Sequence, residues 1–323
     1  MTPTFVLFTA HFLANMKNLM NVGFRALAAF LLFSPFLLGL PFAHAEANTN
    51  VKSIFLFKDV LQSITTALKT SGFDTLLIFR IGALGNGDLM YYSTGDAGEA
   101  TDAPVVTNGT YTGGTALADK IQSFKTDKTN ITRVEVSLVS HDTTFQNIRD
   151  LINAEGTGPE AILYKNFEAL KAAWDLDAFN NDDESVYDVS STLSFAQLLG
   201  DIGYQYSIAP YSNSNFWATA KTRIDAAAPG LFDRVYLQVY DGGAGNNPGT
   251  WQDALDISVI PLVWVINDAK PSQGTNPALA QQRFANWYSE HEVAGGGYWN
   301  DYDIEKLGAS YDEYGGALIS VFQ

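Results

Sequence analysis

The chain has 323 residues, 46% of them hydrophobic, which excludes a disordered protein and supplies enough apolar surface for one or two packed domains. A formal charge of −16 disfavours nucleic acid and anionic membrane surfaces as partners, since phosphates need a basic footprint, and favours a neutral or cationic ligand. Without a single cysteine there is no disulfide scaffold, thiol nucleophile, Cys-ligated zinc or iron–sulfur cluster.

The N-terminus reads as an export signal over residues 1–45: Lys17 and Arg25 precede an apolar run from Ala26 to Leu40, followed by Ala43-His44-Ala45, a small-x-small cleavage pattern. Pro35 and Pro41 interrupt the run and argue against an uncleaved anchor, and no later segment is long enough to span a bilayer. A start at Met16 or Met20 would give the signal a more usual length. The mature protein is expected to be secreted, to begin near Glu46 and to form one domain over 46–323. It keeps only His141 and His291, which leaves no multi-histidine metal site, and no cofactor is expected.

From residue 51 onward, short β-branched and aromatic runs alternate with helical patterns. Eight strands are predicted: Ser53–Phe57, Thr75–Ile81, Thr132–Ser140, Trp174–Asp182, Gln205–Pro210, Arg234–Tyr240, Ser258–Ile266 and Gly297–Tyr302. Helices are predicted between them, among them Asp59–Thr70, Phe145–Asn153, Val189–Leu199, Phe216–Ala226 and Pro277–Glu290. The Gly-, Thr- and Asp-rich stretch Leu84–Gly114 is expected to be an elaborated loop or hairpin after the second strand. This rhythm predicts an α/β fold, a closed (β/α)8 TIM barrel with its reactive groups at the C-terminal strand ends. An open doubly wound sheet is disfavoured, because no Gly-x-Gly-x-x-Gly turn and no Gly-Lys-Ser/Thr phosphate loop is present.

The segment Trp174–Asp188 starts like a buried strand and runs into an unbroken polar stretch from Asn180 to Ser185. On an extended strand Asn180, Asp182 and Glu184 share one face at intervals of about 6.6 Å, and Asp183 points the other way. Neighbouring carboxylates in a low-dielectric mouth cannot both stay ionised cheaply, so one is expected to hold a proton and serve as a general acid. The same residues also fit an acidic turn stabilised by the dipole of the helix beginning near Val189. A calcium loop fits less well, lacking the central Gly and distant Glu. Arg234–Asp241 likewise ends in polar groups, with Gln238 and Tyr240 on one face and Asp241 at the tip; the GGAGNNPGTW loop that follows suits close backbone approach or an ordinary turn. Trp299, Trp264 and Tyr211 fall near other strand ends, where aromatic faces would suit pyranose rings. A Ser-His-Asp hydrolase is disfavoured, since no Gly-x-Ser-x-Gly elbow exists and only His141 or His291 could act as base.

These segments resemble glycoside hydrolase family 18, the chitinase and endo-β-N-acetylglucosaminidase barrels, whose fourth strand carries Asp-x-x-Asp-x-Asp-x-Glu. Residues 177–184, DAFNNDDE, occupy that register. The resemblance implies that Glu184 is the catalytic acid, Asp182 the carboxylate holding the substrate acetamido group, and Asp177 the first motif position; Asn180 stands where the family has its second aspartate. The family's Met-x-Tyr-Asp on strand six is similar to Gln238-Val239-Tyr240-Asp241 with Met replaced, which assigns Tyr240 to the acetamido oxygen. Trp299 looks like the strand-eight tryptophan that floors the cleaved subsite. The third-strand Ser-x-Gly-Gly pattern is not matched by residues 137–140. The resemblance implies an oligo- or polysaccharide substrate and a substrate-assisted retaining hydrolysis, with a non-catalytic glycan-binding barrel as the alternative. Asn180 is expected to donate a hydrogen bond to ionised Asp182.

Overall fold

Strand alternation explains the architecture. In Arg133-Val134-Glu135-Val136-Ser137-Leu138, residues of one parity are apolar and those of the other polar, and all six are buried. Such a strand has protein on both faces, which is the situation of a strand in a barrel wrapped by helices.

A computed structural model describes residues 50–138 and 143–323. The predicted signal segment and His141 lie outside the described residues. Eleven strands form the sheet: β1 (Val51–Leu56), β2 (Thr75–Ala83), β3 (Leu89–Tyr91), β4 (Ala103–Thr107), β5 (Thr110–Tyr111), β6 (Arg133–Leu138), β7 (Ala178–Asn181), β8 (Gln205–Ile208), β9 (Phe232–Gln238), β10 (Ile260–Trp264) and β11 (Gly295–Trp299). Eight of them, β1, β2, β6, β7, β8, β9, β10 and β11, pair in parallel in that order, and β1 pairs with both β2 and β11 to close a (β/α)8 barrel. The expected hairpin after the second barrel strand is present: β3, β4 and β5 add antiparallel to the end of β2.

The helices are α1 (Thr65–Thr70), α2 (Thr115–Gln122), α3 (Thr144–Glu155), α4 (Ile162–Trp174), α5 (Val189–Ile202), α6 (Ser214–Ala227), α7 (Pro248–Leu255), α8 (Pro277–His291), α9 (Asp301–Lys306) and α10 (Tyr311–Ile319). Asn-Pro pairs start α7 and α8, where Asn247 and Asn276 accept the N–H of the third helical residue and proline fills the first position. None of these helices is long and apolar enough to cross a membrane.

Most boundaries shift by a few residues, and three of the differences have a clear cause. Trp174 ends a helix rather than starting a strand, because Leu163, Phe167, Leu170 and Trp174 recur at helical spacing and all face the core. Asp175 then turns the chain with φ +51°, and β7 begins only at Ala178. Helix α1 is shorter than predicted, since Asp59–Ser63 forms a turn in which Asp59 accepts the N–H of Leu61. The last strand ends at Trp299, because the Asn300 side chain caps α9 on the Asp303 N–H and draws Asp301 and Tyr302 into the helix.

Two apolar layers result. Outward-facing strand residues such as Val134, Val136, Phe179 and Val235 pack beneath the helices. Inward-facing residues, including Phe55, Leu77, Phe79, Tyr236 and Leu262, fill the barrel. Between them at the barrel centre lies a paired ionic layer: Arg133 binds Glu135 and Asp233, Tyr236 and Ser207 donate to the Glu135 carboxylate, and Arg234 lies 3.8 Å from it. Two carboxylates facing two guanidiniums make the layer neutral, which is the condition for burying charge at all.

Candidate active site

The site is built at the C-terminal ends of the barrel strands. A cleft of about 370 Å³ there is lined by Phe55, Phe57, Phe79, Arg80, Asp182, Glu184, Ala209, Tyr211, Gln238, Tyr240, Asp241, Gly242, Trp264 and Trp299. Eight residues singled out from the sequence, namely Asp182, Glu184, Tyr211, Gln238, Tyr240, Asp241, Trp264 and Trp299, therefore meet in one place.

The turn after β7 aims the two carboxylates. Asn181 accepts the Asp183 N–H at 2.8 Å, and the Asp183 carboxylate accepts the N–H groups of Ser185, Val186 and Tyr187, each at 2.8 Å. Asp183 thus folds the loop that carries Glu184, a role invisible without knowing which way the side chain points. Asp182, 6% exposed, enters the cleft beside Glu184. Burial, then the charges of Glu184 and Asp183, push its pKa well above the usual carboxylate range, which favours the protonated form of Asp182.

Gln238 bridges them. Its Nε2 donates to Asp182 Oδ1 at 3.1 Å and Ala209 O at 2.8 Å, with Glu184 Oε1 at 3.4 Å. Two amide hydrogens cannot serve three acceptors equally, so the bond to Glu184 is the weak, shared one. Asn246 Nδ2 holds the Gln238 and Tyr211 carbonyls, each at 2.9 Å, and itself accepts from Trp251 Nε1. The glycine-rich loop packs so tightly on this segment that a Cβ on Gly243 would lie 2.3 Å from Gln238 O. Gly242 packs closely on the Tyr211 ring and also reaches the cleft wall, whereas Gly245 faces open space.

The opposite wall is aromatic. Trp299 packs on Phe55, Phe57 and Phe79 at ring-centre distances of 5.6, 5.5 and 4.8 Å and lies near-parallel to Tyr240 at 6.5 Å. Trp264 Nε1 is fixed to Asp303 at 2.8 Å. The Tyr240 hydroxyl stays protonated, since burial and then the charge of Asp182 raise its pKa well above normal. Asp241 sits at the rim in an ion pair with Lys270.

Two residues are placed differently. Asp177 lies at the opposite end of β7, where it pairs with Lys125 at 3.0 Å and accepts the Val134 N–H at 2.8 Å; it does not reach the cleft. Asn180 does not donate to Asp182. It sits in the barrel row Ser137–Asn180–Ser207, accepting from Ser137 Oγ and donating to Ser207 Oγ, both at 2.9 Å, and so links to Glu135 below. Residues two apart on a strand face the same way but are about 6.6 Å apart, which is why the shorter contact wins. His291 lies at the end of α8, near Asn247. Phe55, Phe57 and Phe79 also line the cleft, and their place in the C-terminal halves of predicted strands is the available sequence signal; Arg80 lines it through a local register shift that leaves no such signal. Among the described residues, no group of three or more His, Asp or Glu could hold a metal ion.

No protein-family model matches the sequence, and no curated protein does. Solved structures do. The chain is similar to active domain 2 of a chitinase from Pyrococcus furiosus at 11% identity and TM-score 0.55, over 85% of this chain and 97% of that one. It is also similar to a class V chitinase from Nicotiana tobaccum at 9% identity and TM-score 0.53, over 83% and 99%. A family GH18 chitinase from Cycas revoluta, solved in complex with allosamidin, aligns at 11% identity and TM-score 0.52, over 83% and 99%. The structures this chain resembles are family 18 chitinases, and the shared feature is the eight-stranded parallel barrel.

Proposed function

We propose that the protein is a glycoside hydrolase that cleaves β-linked N-acetylglucosamine glycans by a substrate-assisted retaining route. The observation that carries this reading is the convergence of Asp182, Glu184, Gln238, Tyr240 and Trp299 on one cleft at the C-terminal face of the barrel. In this scheme a sugar ring lies on Trp299. Protonated Glu184 gives its proton to the leaving glycosidic oxygen while the substrate's own acetamido oxygen attacks the anomeric carbon, so no enzyme nucleophile is used. Asp182, ionised once the shared proton resides on Glu184, accepts the acetamido N–H and offsets the positive charge of the oxazolinium-like intermediate; the Tyr240 hydroxyl donates to the acetamido oxygen. Glu184 then takes a proton from the water that opens the ring. The solved relative with bound allosamidin and others crystallised with chito-oligosaccharides support this substrate class. The N-terminal pattern ending at Ala45 supports export of the mature chain, and under this reading the chemistry takes place outside the cytoplasm.

A second reading, a glycan-binding barrel without turnover, is favoured by one observation: Asn180 is committed to Ser137 and Ser207 and gives Asp182 no proton relay. Incubation with a panel of N-acetylglucosamine oligosaccharides and glycoproteins, alongside Glu184→Gln, separates the two. Cleavage that disappears in the variant supports hydrolysis; binding without cleavage by the unaltered chain rejects it.

A further inference from the structure

Arg80 is a cation in the cleft wall that makes no ion pair among the described residues. Strand β2 shifts register against β6 between Phe79 and Ile81, and Arg80 is the extra residue of that irregularity. Bulges of this kind re-aim a side chain, and here Phe79 and Arg80 both reach the cleft, whereas strict alternation would put one of them under the helices. The guanidinium is held by rings rather than by acids: its carbon lies 5.5 Å from the Phe79 ring centre and 5.9 Å from that of Tyr92. Space for the Tyr92 ring is left by Gly82, where a Cβ would lie 2.4 Å from Tyr92 Cε2. Arg80 Nε is buried with no hydrogen-bond partner, and no ion pair involves the residue among the described residues. By contrast the barrel-centre arginines, Arg133 and Arg234, both face Glu135.

A desolvated donor without an acceptor is costly, and an arginine fork held on aromatic faces is shaped for an oxyanion. We infer that Arg80 is a specificity residue for an anionic substituent, a carboxylate or sulfate, on the N-acetylhexosamine glycan that enters this cleft. The inference rests on the proposed glycosidase reading and deepens it. Because Phe79 packs edge-on against Trp299 at 4.8 Å, Arg80 borders the ring on which the sugar is laid. The acidic pair Asp182 and Glu184 follows β7, two strands round the barrel from β2. The overall charge of −16 does not by itself oppose this, since exposed charges beyond a Debye length of about 10 Å at 0.1 M salt are largely screened.

The test is calorimetric binding to the Glu184→Gln chain, with and without Arg80→Gln or Arg80→Lys. The probes are neutral N-acetylglucosamine oligosaccharides, the same oligosaccharides carrying one sulfate, and oligosaccharides carrying a lactyl-ether carboxylate. With Arg80 present, at least one anionic probe is expected to bind about tenfold more tightly than the neutral one, as befits a charge-assisted hydrogen bond. Which probe does so tells sulfate from carboxylate. Arg80→Gln is expected to weaken binding of the anionic probe about tenfold more than that of the neutral one, and Arg80→Lys to retain part of the preference. Equal weakening of neutral and anionic probes in Arg80→Gln, or no preference with Arg80 present, overturns the inference but leaves the glycosidase reading intact. Failure of every probe to bind the chain with Arg80 present overturns both.

Discussion

Replacing Gln238 by methionine removes the amide that joins the two cleft carboxylates and fills its place with a side chain of similar size. Three contacts are lost: Asp182 Oδ1 at 3.1 Å, Glu184 Oε1 at 3.4 Å and Ala209 O at 2.8 Å. A hydrogen bond to an ionised group is worth about 1.5–3 kcal/mol, and 1.36 kcal/mol is one pKa unit, so the ionised forms of the pair lose about one to two units of support. Both macroscopic pKa values of the pair rise, since each deprotonation creates a charge the amide no longer meets. The bell-shaped profile of kcat/KM is therefore expected to move upward by about one pH unit on both limbs, with activity below the optimum falling about tenfold. Folding stability falls by about 1 kcal/mol, because Ala209 O faces the cleft and water can replace the lost donor. The assay is kcat/KM from pH 4 to 9 on an N-acetylglucosamine oligosaccharide, beside urea unfolding. Coincident pH profiles with normal folding would refute the idea that Gln238 sets the proton affinity of the pair.

Asn180→Asp adds a buried charge about 6.6 Å from Asp182, worth about 2.5 kcal/mol at an effective dielectric of 20. It is expected to raise the acid limb by one unit or more, seen by comparing pH–rate profiles, and to destabilise the fold because Ser207 and Glu135 below offer no new cation; coinciding profiles sink the argument. Asp301 is fully buried, accepts the Phe57 and Lys58 N–H groups at 2.7 and 2.9 Å, and has its pKa pushed up to about 7 by burial. Between the unfolded value near pH 4 and the folded value the native state holds an extra proton, so this stabilising contribution is complete at low pH and is lost as pH rises through 7. Urea unfolding at pH 4.5 and 8 is expected to show Asp301→Asn with a flatter pH dependence than the unaltered chain, by up to about 3 kcal/mol; equal slopes would contradict it.

The fold was legible because period-2 runs alternated with helical patterns, and Gln238, Tyr240 and Trp299 could be placed from strand parity alone. What was not legible depended on direction or competition. Trp174 fits the start of a strand as well as the end of a helix over 162–174, since its bulk suits either state until the spacing back to Phe167 and Leu163 is counted. Asn180 was assigned to Asp182, but Ser137 and Ser207 compete for its amide from neighbouring strands, and register is not visible in one strand. Strand parity points Asp183 away from the cleft, yet its carboxylate organises the turn. Arg80 reaches the cleft only through a local register shift that no periodicity announces.

The central claim is that the substrate's acetamido group does the nucleophilic work beside Asp182 and Glu184. Proton NMR of the products from a chito-oligosaccharide, followed from the first turnovers and paired with a fully deacetylated analogue, tests it most directly. The account predicts that the β-anomer appears first and that the deacetylated analogue is not cut; initial α-anomer, or equal cleavage of the analogue, would contradict it.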